Sequence, residues 1–243
     1  MTLRVPELSV IVPCFNEAKR VTSTLDEMLA ELPKLFSRSF EIILVDDGSL
    51  DGTSAIIESL IAANPAYQLR LIKHQLNLGK GAAVRTGVAA SSGAHILMSD
   101  ADGSTPITEI TKLLVEANRG FEIVIGSRAV YDPTVVLKTR LHRKLLGRLF
   151  NGVVNFLVLP GIRDTQCGFK LFSRRACAEL FPTLEVNHFG FDIELLISAR
   201  QHGFKISEVA VNWRHVSGSK VNLVTDSAQM LAMVFYFFSK KLW

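Results

Sequence analysis

Five short runs of aliphatic and β-branched residues, separated by stretches of helical spacing, constrain this chain more than any other feature. Leu8 to Val12, Phe40 to Val45, Leu69 to Ile72, His95 to Met98 and Glu122 to Ile125 have the length and composition of strands. Between them Glu17 to Glu31, Thr53 to Ala63, Gly81 to Ala90 and Ile107 to Asn118 have helical spacing, with Asp51 or Thr53 and the Thr105-Pro106 pair as start signals. The alternation predicts βα units and therefore an α/β fold, a mostly parallel central sheet flanked by helices. Near-continuous apolar runs such as LSVIVP and EIILVD fit strands covered on both faces. A length of 243 residues suits one sizeable domain.

In sheets of this kind ligands gather at the carboxyl ends of the strands, and that is where the acidic residues fall. The first run is followed by PCFNE, the second by DDGSLDGT and the fourth by SDADGSTP, so Glu17, Asp46, Asp47, Asp100 and Asp102 should converge on one crevice. Like charges brought together require compensation. A divalent cation, Mg2+ or Mn2+, bridging a diphosphate is the natural counter-charge, because these ions favour carboxylate oxygen and keep further sites for phosphate and water. The competing reading is that these residues only make turns and helix caps, for which Asp and Ser are suited.

The character changes after Val135. From there to Leu159, Leu141, Leu145, Leu149 and Val153 share a helical face with Leu146, Phe150 and Val154, while Arg140, Arg143, Lys144 and Arg148 take the other side. With a net charge of +4, a pI near 9.0 and a mean hydropathy of +0.27, this basic, apolar segment suggests an anionic partner. An interfacial helix on anionic membrane and an ordinary domain helix both fit. Nucleic acid fits poorly, since the basic residues lack interleaved aromatics. At the C-terminus SAQMLAMVFYFF is followed by SKKLW, too short to span a bilayer but shaped to lie at its surface; packing on the core or against a second copy is the alternative. Cys14, Cys167 and Cys177 are odd in number and lack CxxC spacing, which predicts reduced thiols. Without a signal-peptide pattern or spanning run, any membrane contact is expected to be peripheral, on the cytoplasmic face.

IVPCFNE, VDDGSLDGT, NLGKGAAVRTG, DADGSTP and GSR, in that order, resemble the inverting glycosyltransferases of family 2 with the GT-A (Rossmann-like) fold. GIRDTQCGFKLF, with FGFDIELL and WRHVSGSKV after it, is similar to the dolichyl-phosphate β-glucosyltransferase branch, and the resemblance runs from about Leu8 to about Val221. It implies a catalytic domain over residues 1–221, containing the amphipathic segment 134–160, and a C-terminal membrane-surface helix over 222–243.

By the same resemblance Pro13, Glu17 and Asp47 would hold the base and ribose of a nucleotide-sugar donor, with Lys80 approaching the nucleotide and Asp46 largely structural. Asp102 would be the direct metal ligand, and Asp100 would touch ribose and metal shell. Mannosyl relatives often carry a Gln two residues after the second Asp as a further ligand, where this chain has Ser104. Arg128, Arg140 and Arg143, with Ser219, would grip the phosphate of a dolichyl or polyprenyl acceptor. Lys220, with Arg214 and His215, would close over the diphosphate as the leaving group develops. Asp164 and Gln166 would shape the sugar and acceptor pocket, and Asp192, near Glu194, would orient the nucleophile. The implied reaction is transfer of glucose from UDP-glucose to the lipid phosphate. GDP-mannose as donor, a saccharide acceptor, and a non-enzymatic nucleotide-sugar-binding scaffold at the membrane are the alternatives, and an oligomer is neither required nor excluded.

Overall fold

The computed structural model describes residues 5–37, 39–138, 150–216 and 225–239. Its strands are β1 (Leu8–Cys14), β2 (Phe40–Asp46), β3 (Gln68–Lys73), β4 (His95–Ser99), β5 (Ile123–Ser127), β6 (Leu137–Lys138), β7 (Phe169–Ser173), β8 (Ile206–Ala210) and β9 (Trp213–Arg214). The α-helices are α1 (Val21–Phe36), α2 (Thr53–Ala63), α3 (Lys80–Ala90), α4 (Ile110–Asn118), α5 (150–157), α6 (Arg174–Leu180), α7 (Phe191–Gln201) and α8 (Thr225–Ser239).

Seven strands form one sheet in the order β3-β2-β1-β4-β7-β5-β8. Parallel pairing aligns Cys14 with Asp46 across β1 and β2, and Ile11 with Met98 across β1 and β4. Three acid-bearing strand ends therefore open on the same edge. β7 departs from the pattern: it runs antiparallel between β4 and β5, with Lys170 opposite both Met98 and Ile125. Its reversed direction delivers the loop before it, Asp164 to Gly168, to the edge where β1, β2 and β4 end.

Alternate residues of the strands feed two apolar cores, one on each face. Val10, Val12 and Leu44 pack with α1 and α4, while Ile11, Ile43 and Met98 pack with α3, α6 and α7. Two-sided burial is why the strand sequences are apolar throughout.

Three expectations need correction. α1 begins at Val21, since the amides of Glu17 and Ala18 donate to Thr53 Oγ1 (2.8 Å) and Asp51 Oδ2 (3.2 Å) and are thereby committed to the 51–53 turn. The segment expected to be helical from Val135 starts as a strand, Leu137–Lys138 pairing with Trp213–Arg214; residues 139–149 lie outside the described residues. Finally, the apolar sides of the two expected surface helices are partly internal. Phe150 and Val154 of α5 and Met230, Val234 and Phe237 of α8 join the core beside α7. The outer sides still expose Phe156, at 87%, and Phe235, Tyr236 and Phe238. Among the described residues no helix is long and apolar enough to cross a membrane.

Candidate active site

At the ends of β1 and β2 the carboxylates are already engaged. Asp46 accepts Ser49 N–H (3.1 Å) and the Ser54 hydroxyl, the structural role expected of it. Asp47 is buried, and its two oxygens accept His74 Nδ1 (2.7 Å), Leu78 N–H (2.9 Å) and Gly79 N–H (2.8 Å). Its carboxylate organises the turn into α3. Glu17 accepts both Nε and Nη2 of Arg20. Pro13, on β1 opposite Val45, stays half-buried at the rim.

The more accessible carboxylates lie beyond β4. Asp100 and Asp102 are both partly exposed, and Asp102 Oδ1 accepts Ser104 N–H at 2.9 Å. Ser104 itself is buried, and its carbonyl accepts Arg214 N–H at 2.8 Å. The loop is held on its far side by Thr24, whose hydroxyl donates to Ala101 O (2.8 Å). Lys80, the first residue of α3, reaches across to Asp100 Oδ1 at 2.6 Å. Burial pushes its ammonium down, but Asp100, Asp192 and Asp102 outweigh that and hold it up at about 12. Gly168 backs this pair closely: a Cβ there would stand 1.8 Å from Asp100 Oδ2.

Behind these groups sits an ion pair that sequence reasoning missed. Lys170 is fully buried on β7, with Nζ 2.5 Å from Asp192 Oδ1 and 2.7 Å from Cys167 O. Asp192, at the start of α7, is thus a fixed anion held by a cation. A lysine inside an apolar FKLF run next to a motif rich in Gly and Asp was the available signal, since an ammonium buried there needs a carboxylate. Glu194 turns elsewhere and accepts the amides of Glu185 and Val186, anchoring the loop against α3.

Arg128 is drawn into a fork with Asp164: Nε to Oδ2 at 2.7 Å, Nη2 to Oδ1 at 2.8 Å, and its own amide to Oδ2 at 2.9 Å. Burial lowers the guanidinium and Asp164 more than restores it, so the pair stays charged. The Trp213 ring lies 5.7 Å from the Arg128 guanidinium carbon. Asp164 therefore orients Arg128. Gln166 contacts Met230 of α8, tying that helix to the site. Arg214 lies 3.7 Å from Glu27, and His215 stacks on Trp213. Arg140, Arg143, Ser219 and Lys220 lie outside the described residues. Burial pushes the Cys167 and Cys177 thiols up to about 12, which suits the reduced state expected.

Among the described residues no three His, Cys, Asp or Glu side chains form a ready-made metal cage. Two half-exposed carboxylates on one loop fit an ion that completes its shell with phosphate and water oxygens.

The family model described as Glycosyl transferase family 2 matches residues 9–181. This chain belongs to glycosyl transferase family 2. A dolichyl-phosphate beta-glucosyltransferase from Dictyostelium discoideum is 40% identical over 233 residues, 92% of this chain and 71% of that protein. The human dolichyl-phosphate beta-glucosyltransferase is also 40% identical, over 88% of this family 2 chain and 69% of its own length. Among solved structures, glucosyl-3-phosphoglycerate synthase from Mycobacterium tuberculosis, in complex with Mn2+, UDP and glucosyl-3-phosphoglycerate, superposes with a TM-score of 0.71 at 21% identity, covering 96% of this chain and 80% of that one. A mannosyltransferase from Pyrobaculum calidifontis in complex with GDP-Man and Mn2+ gives 0.63 at 20% identity, covering 97% of this chain and 64% of that one. Both show the shared GT-A fold. The expected family and fold are thus borne out.

Proposed function

We propose that this chain transfers glucose from UDP-glucose to dolichyl phosphate with inversion, giving β-linked glucosyl phosphoryl dolichol. The observation that carries this reading is 35–40% identity, over most of the chain, to proteins named dolichyl-phosphate beta-glucosyltransferase. The carboxylate-lined edge beyond β4 supports it.

Asp102 and Asp100 are the residues to hold Mg2+ or Mn2+. A divalent ion held there would supply Lewis-acid stabilisation of the negative charge that develops on the departing UDP. Pro13 and the backbone around Glu17 form the rim available to the base and ribose, while Lys80 stands where the diphosphate approaches Asp100. The acceptor needs no strong base: a phosphate monoester has a second pKa near roughly 6 and is largely dianionic at neutral pH. One of its oxygens bonds to the anomeric carbon as the bond to UDP breaks, the electron pair leaving on the β-phosphate. Asp192, fixed on Lys170, serves as a stationary charge in this step and not as a proton acceptor. The Arg128 guanidinium, oriented by Asp164, presents its outer N–H groups to the acceptor phosphate. Arg140, Arg143 and Ser219 join it and Lys220 covers the diphosphate, as the resemblance assigns them. The exposed aromatic sides of α5 and α8 supply a surface for the membrane that carries the lipid.

Incubating the protein with Mn2+ or Mg2+, a panel of UDP- and GDP-sugars and short dolichyl phosphates, then weighing the organic-phase product by mass spectrometry, tests this. A lipid heavier by one hexose from UDP-glucose supports the reading. Product from GDP-mannose, or from a saccharide acceptor alone, overturns it.

A further inference from the structure

We infer that His74 is a positioning residue of the donor site, acting through Asp47 on Lys80; this rests on the transferase reading above. His74 follows β3 directly, and its amide donates to Asp46 O at 2.9 Å. The side chain is 9% exposed, with Nδ1 2.7 Å from Asp47 Oδ1 and Nε2 3.0 Å from Thr86 Oγ1 of α3. An ionised carboxylate can only accept, so Nδ1 carries the proton and the ring donates to Asp47.

Asp47 passes this orientation on. The oxygen that receives His74 also receives Leu78 N–H, and the other receives Gly79 N–H. These two amides are the last before Lys80, whose Nζ is 2.6 Å from Asp100. The turn tolerates little adjustment on its far side. Gly79 has φ +103°, and a Cβ there would come 2.4 Å from Asn187 O. His74 thus ties the ends of β2 and β3 to α3 and fixes the plane of the carboxylate from which the Lys80 turn hangs. Asp47 thereby also sets the direction of the turn that carries Lys80. When a metal-bound diphosphate engages Asp100, Lys80 is left beside the phosphates with its direction already set.

The side-chain nitrogens of Asn and Gln separate this role from simple packing, because Asn places an amide where His carries Nδ1 and Gln places one where His carries Nε2. Titration calorimetry of UDP in the presence of Mn2+, with KM for UDP-glucose and for dolichyl phosphate and melting temperatures in parallel, compares H74A, H74Q and H74N with the wild type. The expected result is at least about a tenfold loss of UDP affinity in H74A and H74Q, and a matching rise in KM for UDP-glucose. KM for dolichyl phosphate should stay level, and H74N should recover to within about threefold. Equal losses in folded H74N and H74Q, or wild-type UDP affinity in H74A, would overturn the inference. Should H74A fail to fold, the Asn and Gln comparison still decides. If the wild type itself binds no UDP, the transferase reading falls and this inference with it.

Discussion

Replacing Lys170 by Met removes the cation that compensates Asp192 while keeping side-chain length. Both partners are within 3% of full burial, and the ammonium contacts a carboxylate and a carbonyl at 2.5 and 2.7 Å. Breaking one side of such a pair typically costs about 3–5 kcal/mol, because the remaining charge stays desolvated. At about 2–4 °C per kcal/mol for a chain of this size, the melting temperature should fall by about 6–20 °C. Removing both charges in K170M/D192L should return most of that loss, since a well-packed apolar pair is often as stable as the ion pair it replaces. Transfer should not return with it: the Asp192 charge also acts on Lys80 at the mouth of the site. Thermal unfolding by circular dichroism and organic-phase product formation give the two readouts. A K170M melt within about 2 °C of wild type would refute the energetic argument. Full transfer by the double variant would reduce the pair to packing.

Gly168→Ala should fold but rotate Asp100 away from Lys80, because the new methyl falls on the carboxylate; at least a tenfold drop in UDP–Mn2+ affinity is expected, and unchanged affinity would count against Asp100 as a donor-site residue. Asp102→Ala should abolish transfer while costing no more than about 1 kcal/mol of stability, the worth of its hydrogen bond from Ser104; substantial residual turnover would remove it as the metal ligand. Burial alone would raise the Glu41 carboxyl, but hydrogen bonds from Ser9 and Ser92 and nearby Arg70 hold it below its ordinary value of 4.5. Its folded pKa is depressed, so its contribution is present above pH 4.5 and lost as pH falls through the folded pKa. E41Q should therefore be less stable than wild type at pH 7, with the gap closing in acid. An equal gap at both pH values would contradict this. Replacing Phe235, Tyr236 and Phe238 together by Ser should weaken sedimentation with dolichol-containing liposomes and leave the melting temperature nearly unchanged, as all three are exposed; unaltered sedimentation would remove α8 from membrane contact.

The first half of the fold was legible because its signals are local. Strand-length apolar runs and helical spacing place β1 to β5 and α2 to α4 within a few residues of where they form. The start of α1 was not, since the amides of Glu17 and Ala18 go to Thr53 and Asp51, more than thirty positions away. β7 escaped because Lys170 interrupts its apolar run, and only the fold shows that Asp192 makes a lysine tolerable there.

For the site the division is similar. Which carboxylates gather at one edge followed from sequence alone, because parallel strands joined by right-handed crossovers all end on the same side. Which of them remain open to a ligand did not follow. Asp192, Asp47 and Asp164 are committed to Lys170, His74 and Arg128, partners 22, 27 and 36 residues distant. Side-chain pairing over such separations is set by strand order and by the reversed direction of β7. Local apolar runs and strand-end motifs carry the family, β1 to β5 and the acidic edge; strand order and the reversed β7 leave Asp100 and Asp102 partly exposed while their neighbours build the frame that holds them.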